Sequence, residues 1–218
     1  ELSLPQAQLF YRSGLRVGMM PIALPHDAKA GPTKSEVRSV TLGKLDLGPD
    51  DHFAEVGSCT GAVTIEAARR AGRVTALERK ADRLDVTEQN LAANEESTSA
   101  DIDLRNAEAP EGLPDDADAL FLGGSRNFEA VLDHAVETGV DRIVMNVSRL
   151  EVAGRATEAF REREILEEVV QFQVSHGYEL AGATSFNSDN PVYMLVGSAS
   201  GSDDESDGDN GEPAEATQ

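Results

Sequence analysis

From residue 52 onward, short apolar runs alternate with longer amphipathic stretches, and the two periods predict strands and helices in turn. His52–Val56, Arg73–Glu78, Asp101–Arg105, Ala117–Leu122 and Arg142–Val147 have strand length and apolar centres. Between them, Gly61–Ala71 (stopped by Gly72), Ala81–Asn94 and Phe128–Thr138 (ending at Gly139) follow helical spacing, and Glu151–Arg161 continues the series. Val170–Ser175 alternates with period two, the clearest strand signal in the chain. Gly177–Asn190 then reads as a loop and Pro191–Gly197 as a last strand. Ahead of all this, Thr33-Lys34-Ser35-Glu36 has the form of a capping box in which Thr33 caps the Glu36 amide. Val37, Val40, Thr41 and Leu45 share the helical face that follows, up to the turn at Gly48-Pro49-Asp50-Asp51.

Strand and helix in alternation predict an α/β fold. The expected form is a doubly wound, mostly parallel, Rossmann-like sheet of seven strands, its edge closed by an antiparallel hairpin of the last two. In such a sheet the ligand lies beyond the carboxyl ends of the central strands. Three segments are expected: an N-terminal extension over 1–25, one domain over 26–199, and a tail over 200–218. Met19-Met20 stand just before the first recognisable element, so a native start there would make the preceding residues upstream readthrough.

Charge changes the picture next. Forty acidic residues against nineteen Lys and Arg give a net charge of −21, which excludes a basic nucleic-acid-binding stripe. From Ser200 the chain is Ser, Gly, Asp and Glu with no basic residue, a composition expected to be disordered. The remaining acids are spread along the chain, and lysine occurs only at positions 29, 34, 44 and 80. That balance suits a surface kept soluble in concentrated salt, where like-charge repulsion is screened. No apolar run approaches the roughly 20 residues of a membrane helix. A single cysteine, Cys59, forbids an intrachain disulfide, and the location expected is the cytoplasm.

The candidate chemistry sits in the turn after the first sheet strand. Gly57 and Gly61 bracket Ser58-Cys59-Thr60, a strand-to-helix turn where backbone can approach a ligand and open amides face a carboxylate or phosphate. A dinucleotide site wants Gly-x-Gly-x-x-Gly, and Cys59 breaks it; a Walker loop wants Gly-Lys-Ser/Thr, which is missing. What survives is the acidic-x-Gly-x-x-x-Gly pattern of methyltransferases that hold S-adenosylmethionine. Glu78 lies about 20 residues after the loop, where an acid takes ribose hydroxyls, and Ala107-Glu108-Ala109-Pro110 fits an adenine-flanking turn. Cys59 is read as a small packing residue, since no histidine is placed to activate it. No metal is expected.

These segments resemble the cobalt-precorrin-6B carbon-15 methyltransferases (decarboxylating) of cobalamin biosynthesis. The resemblance is carried by Gly31–Arg38, Glu55–Gly61 with Thr64–Ala68, Ala76–Arg79, Ala107–Glu111, Leu120–Ser125 and Asn190–Tyr193. Gly31–Arg38 and Gly123-Gly124-Ser125 are the discriminating segments. The resemblance implies a class I methyltransferase with S-adenosylmethionine on Thr33, Gly57, Ser58, Cys59, Thr60, Gly61, Glu78 and Ala109. It implies a tetrapyrrole substrate, methylated at carbon 15 with loss of the C-12 acetate carboxyl to give cobalt-precorrin-7, and a homo-oligomer such as a tetramer. Gly124 and Ser125 leave room for a large flat substrate; Asn146 and Asn190 are candidates to hydrogen-bond its carboxylates, or ordinary turn and strand-end residues. His176 is read as structural. No catalytic base is identified, and none is demanded, because the macrocycle carbon is already nucleophilic. Two alternatives stay open: a methyltransferase acting on tRNA or protein, and a domain that binds the nucleoside without turnover. A nicotinamide oxidoreductase is disfavoured by Cys59.

Overall fold

The first strand is buried along its whole length, and its alternate side chains feed two different cores. The computed structural model describes residues 21–29 and 31–200, and the readings for the segment before Met20 and for the tail lie outside them. In β1 (His52–Val56), Ala54 and Val56 join one apolar cluster, while Phe53 joins the other. In β4 (Ala119–Leu122), Leu120 and Leu122 face the first cluster and Ala119 and Phe121 the second. That period-two division is what a sheet covered on both faces requires. Helices α1 (Ser35–Leu45) and α2 (Ala62–Ala67) cover one face; α4 (Phe128–Thr138) and α5 (Leu150–Glu162) cover the other. Helix α3 (Ala81–Ala92) packs beside the edge strand β3 (Asp101–Arg105).

With β2 (Arg73–Leu77), β5 (Arg142–Val147), β6 (Leu166–Phe172) and β9 (Val192–Gly197), the sheet order is β3-β2-β1-β4-β5-β9-β6. Strands β1 to β5 pair in parallel, and β9 is antiparallel to both β5 and β6. The seven-stranded, mostly parallel sheet is therefore present, and the antiparallel closure comes from β9 slipping between β5 and β6. The chain winds from β1 towards β3 and then returns to place β4 on the other side of β1. The carboxyl ends of β1 and β4 thus diverge into a crevice.

Three local readings change. The capping box does not form: α1 starts at Ser35, Lys34 is its extended N-cap without a side-chain cap, and Glu36 instead accepts from the Ser35 hydroxyl. The Thr33 carbonyl is taken by the guanidinium of buried Arg38 at 2.5 Å. Strand β6 begins at Leu166 and stops at Phe172 rather than running from Val170 to Ser175. Its leading residues Glu167 and Glu168 are exposed on an edge, so the charge hid the strand. The stretch expected as a loop is a hairpin, β7 (Ser175–Leu180) and β8 (Ala183–Ser188), paired only with itself. Its turn residues Ala181 and Gly182 both have positive φ, +53° and +79°, the form of a two-residue hairpin turn. An alanine at the first position gives little sequence signal for it.

Two asparagines of the α3 region anchor the incoming chain. Asn94 Oδ1 accepts from the Ala23 amide (3.0 Å) while its Nδ2 donates to the Ala23 carbonyl (2.7 Å). Asn90 does the same with His26, at 3.0 and 2.8 Å. No helix among the described residues is long and apolar enough to cross a membrane.

Gly72 sits between α2 and β2, where a Cβ would lie 2.2 Å from the Pro49 carbonyl oxygen. Gly72→Ala should force backbone movement and cost about 1–3 kcal/mol, read as a lowered midpoint in denaturant unfolding.

Candidate active site

The loop leaving β1 is held in place by backbone bonds before any side chain acts. Both Gly57 N and Ser58 N donate to the Leu77 carbonyl, at 2.8 and 3.1 Å, and Gly61 N donates to Ser58 O at 2.8 Å. Gly57, Cys59 and Gly61 all have positive φ (+90°, +55° and +74°), so the turn is a run of left-handed positions. Across the crevice, Gly123 N donates to the Val56 carbonyl at 3.0 Å. A Cβ on Gly57 would stand 3.4 Å from the Gly124 amide nitrogen. The two loops therefore meet on bare backbone.

On either side of that meeting point lies a cavity. The first is lined by Gly57, Cys59, Glu78, Ala109, Gly123 and Gly124, with Arg79, Arg83, Glu108 and Arg126 around it. Glu78 is 5% exposed, and its Oε1 accepts from the Lys80 amide at 3.0 Å, which fixes the carboxylate at the end of β2. The second cavity, about 380 Å³, is lined by Thr33, Lys34, Glu55, Phe121, Asn146 and Ser148 among others, and shares Gly57, Cys59 and Gly123 with the first.

Glu55 is the unusual group. It is 1% exposed, and its Oε2 accepts from the Thr64 hydroxyl at 2.5 Å. Burial pushes its carboxyl up to about 7; the Thr64 bond opposes this, and the nearby Glu78 charge adds to it. Burial also raises the Cys59 thiol above its usual range, against the pull of Arg83, so the sulfur is a thiol rather than a nucleophilic thiolate.

The sequence-derived candidates separate accordingly. Gly57, Cys59, Glu78 and Ala109 line the first cavity; Thr33, Ser58 and Thr60 line the second with Gly57 and Cys59. Ser58 spends its hydroxyl on Thr87 at 2.9 Å, and Asn90 holds the Thr60 carbonyl at 2.9 Å, so both tie the loop to α3. Gly61 lines neither cavity: it starts α2, where a Cβ would meet the Thr87 methyl at 3.1 Å. Gly124 borders the first cavity, whereas Ser125 and Asn190 are exposed and border neither. Asn146 lines the second, where its Nδ2 donates one hydrogen bond to Thr41 at 2.8 Å and has a second N–H to offer. Lys34, Arg79, Arg83 and Arg126 carry no spacing signal for the site, whereas Glu55 is the acid of the acidic-x-Gly-x-x-x-Gly pattern.

Comparison with known proteins adds a consistent set of likenesses. A family model described as "Precorrin methyltransferase domain" matches residues 24–198. The chain is 77% identical, over 84% of its own length and 97% of the relative's, to a probable cobalt-precorrin-6B C(15)-methyltransferase (decarboxylating) from Halobacterium salinarum. It is 39% identical to a protein of the same description from Methanosarcina acetivorans, covering 77% and 93% of the two chains. Among solved structures, it is similar to a precorrin-6Y C5,15-methyltransferase from Geobacter metallireducens. That match has 32% identity and a TM-score of 0.73, over 82% of this chain and 100% of the other. A tRNA (m1A58) methyltransferase from Aquifex aeolicus, at 13% identity and a TM-score of 0.65 over 84% and 74% of the two chains, shares the fold alone.

The Glu55 environment makes a pH prediction. Unfolded, this carboxyl titrates near 4.5; folded, near 7. Between those values the folded chain keeps a proton that the unfolded chain has released, so this group's contribution to stability is full below the lower value and declines as pH rises to the upper. The slope is at most about 1.4 kcal/mol per pH unit. Glu55→Gln should flatten that decline in the ligand-free protein, measured by denaturant unfolding from acid to neutral pH. An unchanged slope would show that Glu55 does not titrate there.

Proposed function

The chain belongs to the precorrin methyltransferase family, and from that premise we propose that it methylates carbon 15 of cobalt-precorrin-6B and decarboxylates the C-12 acetate side chain. The product is cobalt-precorrin-7, in cobalamin biosynthesis, and S-adenosylmethionine is the methyl donor. The observation that carries the donor assignment is buried Glu78 at the end of β2, sharing one cavity with Gly57 and Ala109. A fixed carboxylate accepts hydrogen bonds from two ribose hydroxyls, and Ala107 and Ala109 offer small apolar walls to an adenine. The donor supplies an electrophilic methyl on a sulfonium. Beside it, Glu55 titrates near 7, and an ammonium settling next to it would favour its ionised form, since an opposite charge lowers a carboxyl's pKa.

The larger cavity then takes the tetrapyrrole. Phe121 and Val192 give it apolar wall, Lys34 a cation at the mouth, and the glycine contact between Gly57 and Gly123 leaves the way open to the methyl. Alignment is the main task, because the displacement is in line and the macrocycle carbon is electron-rich. As the new C–C bond forms, the S–CH3 bond breaks and the ring carbon releases its proton. As the acetate C–C bond breaks, carbon dioxide leaves and the side-chain carbon takes up a proton.

Incubating the full chain in concentrated salt with cobalt-precorrin-6B and S-adenosylmethionine should yield a tetrapyrrole one methyl heavier and one carbon dioxide lighter by mass spectrometry. Donor binding without such a product would redirect the assignment to another methyl acceptor.

We place the enzyme in the cytoplasm and assign it a homo-oligomeric state, with a tetramer as the expected form. What supports this is the β7–β8 hairpin, which carries Tyr178, Leu180 and Phe186 at 40%, 56% and 65% exposure. Three large apolar side chains on a ribbon detached from the main sheet suit burial against other copies. Light scattering should give a mass several times that of one chain, and Leu180→Ser with Phe186→Ser should lower it.

A further inference from the structure

Among the described residues, the arginines withdrawn from solvent are partnered, with one exception. Arg38, Arg69, Arg70, Arg105, Arg142 and Arg163 each donate a hydrogen bond or hold an ion pair. Arg83 is half-buried, yet its guanidinium has neither among the described residues. In a chain with forty acidic residues, a carboxylate partner is the easy solution, so its absence at this position is informative. A guanidinium with five unused donors in a cavity wall offers a bound anion charge-assisted hydrogen bonds. Helix stability does not explain the residue: it lies in the first turn of α3, the end where a cation is disfavoured.

Its surroundings say what could bind. Arg83 lines the first cavity together with Cys59, Glu78, Arg79 and Arg126, and its charge is felt at the Cys59 sulfur in the glycine loop. Arg79 is exposed and has no ion pair among the described residues; Arg126 reaches Glu108 only at 3.6 Å. Three arginines thus line one cavity. Its proposed occupant is a cation overall, with a sulfonium, an ammonium and one carboxylate, so the arginines do not serve the whole donor. In concentrated salt the Debye length falls to about 3 Å, and only contact pairs of this kind retain their strength.

We infer that Arg83 is a carboxylate-binding residue of the active site, its planar fork receiving a carboxylate from one of the two reactants. This rests on the methyl-transfer assignment above. The shared chemistry is a carboxylate; its source is either the donor's α-carboxylate or an acid side chain of the tetrapyrrole.

The test uses Arg83→Gln and Arg83→Lys in the full chain, with unchanged thermal midpoints as the folding control. Calorimetry in concentrated salt measures binding of S-adenosylmethionine, of its decarboxylated analogue, and of the tetrapyrrole. A lost charge-assisted pair should weaken binding about tenfold to a hundredfold, with Arg83→Lys recovering part. If Arg83→Gln weakens S-adenosylmethionine but not the decarboxylated analogue, the donor supplies the carboxylate. If both donors bind as before and tetrapyrrole affinity falls, the substrate supplies it. Equal weakening of both donors, as stacking on adenine would give, or no change in any titration, overturns the inference. Because binding is titrated, a wild type that binds but does not turn over would sink the methyl-transfer assignment and leave this test standing.

Discussion

The contact between two backbone turns, at Gly57 and at Gly123-Gly124, is the constraint on which the rest of the site depends. A Cβ on Gly123 would stand 3.3 Å from the Gly57 carbonyl oxygen and 3.4 Å from that of Val56, and Gly123 N already donates to Val56 O. The carboxyl ends of β1 and β4 can separate into a crevice and still be stitched together only because neither turn carries a side chain there. A cavity opens on each side of that stitch, and both cavities share Gly57, Cys59 and Gly123 as a wall. Two ligands placed one in each cavity would meet at this wall, which is the geometry a group transfer needs.

Much of the remaining structure keeps that stitch in register. Thr87 binds Ser58 through its hydroxyl and donates to the Cys59 carbonyl, while Asn90 holds the Thr60 carbonyl and the incoming chain at His26. Buried polar side chains of α3 thus serve the glycine loop rather than the sheet. Their hydrogen bonds are satisfied within the protein, so the loop reaches a ligand already ordered. Lys34, at the mouth of the second cavity, pairs with Asp189, which His176 also approaches at 3.3 Å. The base of the β7–β8 hairpin is in this way linked to the segment that borders the cavity.

Charge follows the same division between structure and function. The chain as a whole is strongly acidic, and most of its sequestered arginines are consumed by carboxylates or backbone oxygens. The first cavity departs from this, with Arg79, Arg83 and Arg126 facing a space that also holds Glu78. Glu55 belongs to the same pattern: burial raises its carboxyl to near 7, so a cation beside it would shift its charge at neutral pH.

The glycine loop, Glu78 and the strand–helix alternation were legible in the chain, because strand burial, left-handed turns and an acid at a fixed spacing each leave a local mark. Asp101–Arg105, Phe128–Thr138 and Arg142–Val147 needed only local periodicity, and their observed bounds agree with it. What happened between β6 and β9 was not legible: Ala181 takes a left-handed turn without the usual residue, and the charged start of β6 is tolerated because it lies on an edge. Nor could spacing show that Gly61 packs on Thr87 instead of the cavity, or that Asn146 binds Thr41. Glu55 is marked in the sequence only as the acid of the glycine pattern, and Arg83 carries no mark at all. Tertiary packing alone raises the Glu55 carboxyl to near 7 and leaves Arg83 without an ion pair among the described residues, because both outcomes depend on which residues, distant along the chain, close around them.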